Sequence, residues 1–67
     1  MKFYVNKNAQ ATGEHEVHRE DCFWLSLATD VLYLGDFSSC AEAIRAARRV
    51  YFNVDGCKSC CKECHKK

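Results

Sequence analysis

Apolar and polar positions divide the chain into short alternating blocks. Phe3-Tyr4-Val5 is a run of strand formers, and the polar stretch at residues 6–13, ending in Gly13, supplies the residue types of a loop or turn. Residues 14–18 read as the returning strand of a β-hairpin. The apolar block Phe23-Trp24-Leu25-Ser26-Leu27-Ala28 predicts a short helix or turn whose two aromatics supply core. Val31-Leu32-Tyr33-Leu34 predicts a third strand, ended by Gly35-Asp36.

The strongest helix signal comes next along the chain. Ser39 with Glu42 three residues on is a capping box, which satisfies amides at the start of a helix, and the alanine-rich run over residues 40–52 continues it. Cys40, Ile44, Ala47 and Tyr51 share one face at helical spacing, while Glu42, Arg45 and Arg49 face away. Asp55-Gly56 is expected to close the helix exit, with Gly56 in the left-handed conformation of a tight turn. The predicted fold is α+β: one small stapled domain over residues 1–67, with an N-terminal hairpin, a third short strand and one main C-terminal helix.

Length makes the staple necessary. A chain of 67 residues buries only about 60% of the surface its unfolded form exposes, too little for an ample core. Six cysteines offer either disulfides or a metal site. Lys2 is not followed by an apolar stretch of ~7–15 residues, and no run approaches the ~20 residues of a membrane span, so the expected setting is cytoplasmic. Thiols there stay reduced, which favours a metal over a disulfide. The formal charge of +1 is not that of a strongly basic nucleic-acid binder.

The segment "DGCKSCCKECH" holds two overlapping pairs at metal-knuckle spacing, Cys57-x-x-Cys60 and Cys61-x-x-Cys64. Using all four on one ion would turn the adjacent Cys60 and Cys61 to the same side, which consecutive side chains resist. One C-terminal pair together with His18 and Cys22, themselves four residues apart, would instead tie the hairpin to the helix exit. Zinc, tetrahedral with Cys and His ligands, suits such a set.

The segments "YVNKN", "VHREDC", "AEAIRAARR" and "DGCKSC" together resemble the Ada-type metal-binding module, a small zinc domain named after a bacterial alkylation-repair regulator. In its smaller members a hairpin runs into His-Arg-x-x-Cys, a helix comes after it, and a turn delivers Cys-x-x-Cys. The resemblance implies zinc held by His18, Cys22, Cys57 and Cys60. This chain has Gly56 where the module customarily has proline, and adds Cys61, Cys64 and His65 beyond its end.

Other residues carry plainer expectations. Cys40 reads as a buried, inert small hydrophobe, His15 as a surface residue, and His65 as part of a solvated tail. Cys61 and Cys64 are left to pair with each other, hold a second ion with His65, or stay free. Arg19, between ligands, is placed to bond a carbonyl or steady a thiolate. Arg45, Arg48, Arg49, Lys58, Lys62, Lys66 and Lys67 would form a phosphate-binding patch only if the fold brings them together.

A complete ligand set with no further catalytic constellation points to a monomeric, non-enzymatic zinc-binding module that presents a surface to nucleic acid or a protein partner. The alternative is a thiol redox or metal-handling protein that uses the C-terminal C-x-x-C pairs. Methyl transfer onto a zinc-bound cysteine is disfavoured, because a histidine ligand lowers thiolate charge and no linked DNA-binding segment is present.

Overall fold

Val5 and Val17 lie opposite each other in the first antiparallel strand pair, and both are fully buried. They belong to β1 (Lys2–Asn6) and β2 (His15–Arg19) in a computed structural model that describes residues 1–66. The remaining elements are α1 (Phe23–Leu27), β3 (Val31–Asp36), α2 (Cys40–Ala47), β4 (Val54–Gly56) and a 3-10 turn, Lys62–Cys64. The fold is α+β, with a four-stranded mixed sheet in the order β3-β1-β2-β4 and α2 packed on one face.

The two-residue period of the strands sorts their side chains. Phe3, Val5 and Val17 face α2, which buries Cys40, Ala43, Ile44 and Ala47 against them. Tyr4, Glu16 and His18 leave the opposite face, where Tyr4 packs on Tyr33 with ring centroids 5.3 Å apart. The β1–β3 register shifts between Phe3 and Tyr4, and Gly35 takes φ +144° beside that shift, a conformation that side-chain-bearing residues rarely adopt.

The capping signal is realised at α2. Ser39 Oγ accepts from the Glu42 amide at 3.4 Å, and the Glu42 carboxylate accepts from the Ser38 amide at 3.1 Å and its hydroxyl at 2.6 Å. That hydroxyl bond is the main reason the Glu42 carboxyl sits below the usual carboxylate range. The helix is shorter than its composition suggests, because the backbone tightens after Ala47. Arg49 and Val50 donate three residues back, to Ala46 and Ala47, instead of four. The chain then turns so that the Asn53 carbonyl accepts from the His15 amide at 2.9 Å.

The segment after this turn is a strand, where a tight turn was expected. β4 runs parallel to β2 in the register His15 to Val54, Glu16 to Asp55 and Val17 to Gly56. Gly56 does not take the left-handed conformation. Its missing side chain serves a close approach: a Cβ there would lie 2.7 Å from Cys64 Cβ.

Phe23 and Trp24 are not core. They stand 66% and 52% exposed, and α1 buries none of its residues. Five residues make less than two helical turns, and the apolar face of the sheet is already covered by α2. Among the described residues no helix is long and apolar enough to cross a membrane.

Candidate metal centre

The parallel register of β2 and β4 is what assembles the site. Val17 pairs with Gly56, so His18, still within β2, and Cys57, just past the end of β4, come side by side, and the Cys57 amide donates to the Val17 carbonyl at 2.9 Å. From there the chain bends back through a turn closed by the Cys61 amide on the Cys57 carbonyl at 2.8 Å, which brings Cys60 round to the same point. Cys22 arrives from the other direction as the N-cap of α1, just past the end of β2.

His18, Cys22, Cys57 and Cys60 thus converge, one ligand atom of each lying within 4.8 Å of all the others. His18 Nδ1 is 3.6 Å from Cys22 Sγ and 4.0 Å from Cys60 Sγ, and Cys22 Sγ is 3.8 Å from Cys57 Sγ. A tetrahedral ion with bonds of ~2.3 Å to sulfur and ~2.0–2.1 Å to nitrogen has ligand-to-ligand edges of ~3.8 Å between sulfurs and ~3.6 Å between nitrogen and sulfur. The donor set fits such an ion in chemistry and in spacing.

Electrostatics favour the same reading. Burial holds the His18 imidazole below its ordinary pKa and so keeps it neutral, the form a metal ligand needs. Burial pushes the Cys60 thiol strongly up, and the neighbouring cysteines add to that, against the Arg19 amide that donates to its sulfur at 3.3 Å. Burial also opposes ionisation of Cys22, yet its pKa falls on balance because Cys60, the amides of Leu25 and Trp24, and Cys57 bond to its sulfur. Three thiols in one desolvated pocket cannot all ionise by themselves; a divalent cation at their centre removes that penalty.

No protein-family model, curated protein or solved structure matches the chain. Its chemistry is therefore read from the donor set and its surroundings.

Glu16 is one residue that spacing did not single out. It sits two positions before His18 on the same strand face, with Oε1 3.7 Å from His18 Nε2, on the ring edge away from the thiols. At that distance the carboxylate is near the imidazole without a direct hydrogen bond to it. The two-residue strand period was the available signal. Arg19 bonds a thiol through its amide, while its guanidinium turns to Asp21, with Nε 3.2 Å from Oδ1.

The remaining candidates go elsewhere. His15 stacks on Tyr51 at 3.7 Å between ring centroids and lies outside the four-donor group. Cys61, adjacent to Cys60, turns into the hydrophobic core, where burial raises its pKa. Cys64 pairs with Cys40 as a disulfide, an arrangement outside the three options that spacing left open. Cys40 is buried as expected but is not inert. Nothing in a separation of 24 residues could announce that pair.

His65 is not a solvated tail residue. Its Nδ1 lies 3.0 Å from the Gly56 carbonyl and 3.1 Å from Asp55 Oδ2. The basic residues do not form one patch. Arg45, Arg48 and Lys66 line a groove of about 340 Å³ shared with Asp55 and Glu63, whereas Lys58 lines a groove beside Trp24. Lys67 lies outside the described residues.

Proposed function

We propose that the chain is a non-enzymatic zinc-binding module of the Ada-type kind, in which one ion on His18, Cys22, Cys57 and Cys60 ties the hairpin to the C-terminal segment. The observation that carries this reading is the convergence of the four donors, with the 3.6 Å His18–Cys22 and 3.8 Å Cys22–Cys57 separations matching the edges of a tetrahedral thiolate–imidazole site. Zinc is the ion of choice for one imidazole and three thiolates. Four protein ligands complete its shell and leave no position at which water could be activated, so the ion is structural.

The module's function is then to hold out a surface for nucleic acid or a protein partner. The exposed Phe23, Trp24 and Leu27 on α1 support this, with Trp24 steadied by a 3.1 Å bond from Nε1 to Ser59 Oγ in the loop between two ligands. Exposed aromatics on a rigid support suit stacking or apolar contact. Native mass spectrometry with and without chelator tests the ion, and cobalt substitution tests its geometry. A tetrahedral thiolate spectrum with one cobalt at this site is expected; a folded chain that takes up no metal would end the reading. Titration with single-stranded DNA and RNA at low and moderate salt, followed by Trp24 fluorescence, separates the two partner classes.

A second reading, thiol redox or metal handling, is favoured by one observation: the Cys40 and Cys64 sulfurs lie at disulfide distance. The couple differs from either C-terminal C-x-x-C pair, since Cys57 and Cys60 both belong to the four-donor group. Counting free thiols before and after a mild reductant tests it. Two further thiols should appear on reduction.

A further inference from the structure

A second set of donors lies on the α2 side of the sheet. Cys40 is the first residue of α2, and Glu63 and Cys64 end the 3-10 turn packed beside it. One ligand atom from each of the three lies within 4.8 Å of the other two. Glu63 Oε1 stands 2.9 Å from Cys40 Sγ, while Cys40 and Cys64 are bridged with their Cα atoms 6.5 Å apart.

A carboxylate against a disulfide sulfur sets lone pair against lone pair, with neither group able to donate a proton. Once the bridge is opened, the same carboxylate faces two thiols, and three anionic donors converge where a cation is the natural partner. Cys40 sits at a helix N-terminus, where unpaired amides favour thiolate over thiol. The site is reachable from two sides. Cys40 and Glu63 line a groove of about 210 Å³ with Ser38 and Ser39, and Glu63 and Cys64 line the groove of about 340 Å³ beneath Arg45 and Arg48.

We propose that Cys40, Glu63 and Cys64 form a second, redox-gated site for a thiophilic divalent cation such as zinc. With the cysteines reduced, two thiolates and one carboxylate hold the ion and leave a fourth position open to solvent. With the cysteines oxidised, the two thiolates are consumed in a sulfur–sulfur bond and the ion is released.

The oxidant is a low-molecular-weight disulfide. Cys64, half-buried and on the wall of the larger groove, attacks one of its sulfurs and expels one small thiolate, forming a mixed disulfide. The Cys40 thiolate then displaces the second small thiolate. Two electrons pass from the cysteine pair to the small disulfide, and no proton is needed because both protein sulfurs enter as thiolates. The gate deepens the metal-handling reading and rests on reversible exchange at Cys40 and Cys64.

Native mass spectrometry of the full chain tests it. The chain is loaded with zinc in a non-thiol reductant, desalted and weighed, then treated with oxidised glutathione and weighed again. The expected result is two ions in the reduced chain and one in the oxidised chain, which is also lighter by two hydrogens. Glu63→Gln should keep the reversible disulfide and hold one ion in both states. An ion count that is the same in the reduced and oxidised wild-type chain, with the disulfide still forming, would overturn the second site and leave the redox reading standing. A chain whose mass does not respond to oxidant or reductant would overturn both. Two ions in reduced Glu63→Gln would overturn the ligand assignment.

Discussion

Gly56 lies directly against Cys64: a Cβ built on the glycine would come 2.7 Å from Cys64 Cβ and 2.9 Å from the Cys61 carbonyl oxygen. The 3-10 turn is folded back onto β4 at this point, and backbone on both sides leaves no flexible side chain to move away. Gly56→Ala should therefore destabilise the chain by about 1–3 kcal/mol, the usual cost of overpacking. Urea denaturation of the metal-loaded protein checks this, and an unchanged midpoint would mean that the turn is not held against β4.

Removal of the ion proposed at His18 should abolish cooperative melting. Structural zinc contributes an apparent ~10–16 kcal/mol in small domains, as much as or more than the ~5–15 kcal/mol of a whole ordinary domain. Thermal unfolding followed by near-ultraviolet circular dichroism, before and after chelation and again after zinc is returned, measures it. An equally sharp transition in the chelated sample would count against a stabilising ion.

Stability should also fall on mild acidification. The His18 pKa is lowered in the folded state by burial, so the unfolded chain binds more protons as the pH drops through the ordinary histidine value of about 6.5. The contribution is complete above that value and is lost as pH falls toward the folded pKa. Proton competition for the thiolates acts in the same direction. Denaturation midpoints taken between about pH 8 and pH 5 should decline below about 6.5; a flat profile would contradict a buried neutral His18.

Trp24 and Val17 should respond unequally to truncation. Trp24→Ala removes a half-exposed ring and one bond to Ser59, so a loss below about 1 kcal/mol is expected. Val17→Ala opens a gap between the sheet and α2 at a fully buried position and should cost about 1–3 kcal/mol. If the order of the two losses is reversed, the aromatic block belongs to the core after all.

Ser39→Ala should cost about 1 kcal/mol by removing the acceptor for the Glu42 amide at the start of α2. Helical circular dichroism at partial denaturation reads this directly. Ser39→Asp, which restores an acceptor, should recover most of the loss.

Features written in neighbouring residues were legible in advance. The hairpin, the strand beginning at Val31, which runs on through Gly35 to Asp36 and so past its expected end at Leu34, and the cap at Ser39 all rest on short-range propensities and spacing. His18 and Cys22 were legible for the same reason, being four residues apart at the end of one strand. The choice of Cys57 and Cys60 came from a resemblance, because two knuckle-spaced pairs overlap and spacing alone does not choose between them. In the structure the choice is made by Val17 pairing with Gly56, which delivers Cys57 beside His18 and sends Cys61 to the core.

Three residues of strand, one of them charged, carry too little pattern to announce β4, and its parallel partner is some forty residues away. Trp24 escapes the core that its type suggests, because apolar character shows that burial would be favourable but not whether any face remains to bury against. By itself the amino-acid order determined the local elements and the kinds of donor atom. Only the tertiary structure decided which thiols meet His18, that Cys40 meets Cys64, and which aromatics stay in solvent. Those outcomes depend on long-range pairing, in which many separated segments compete for the same few faces.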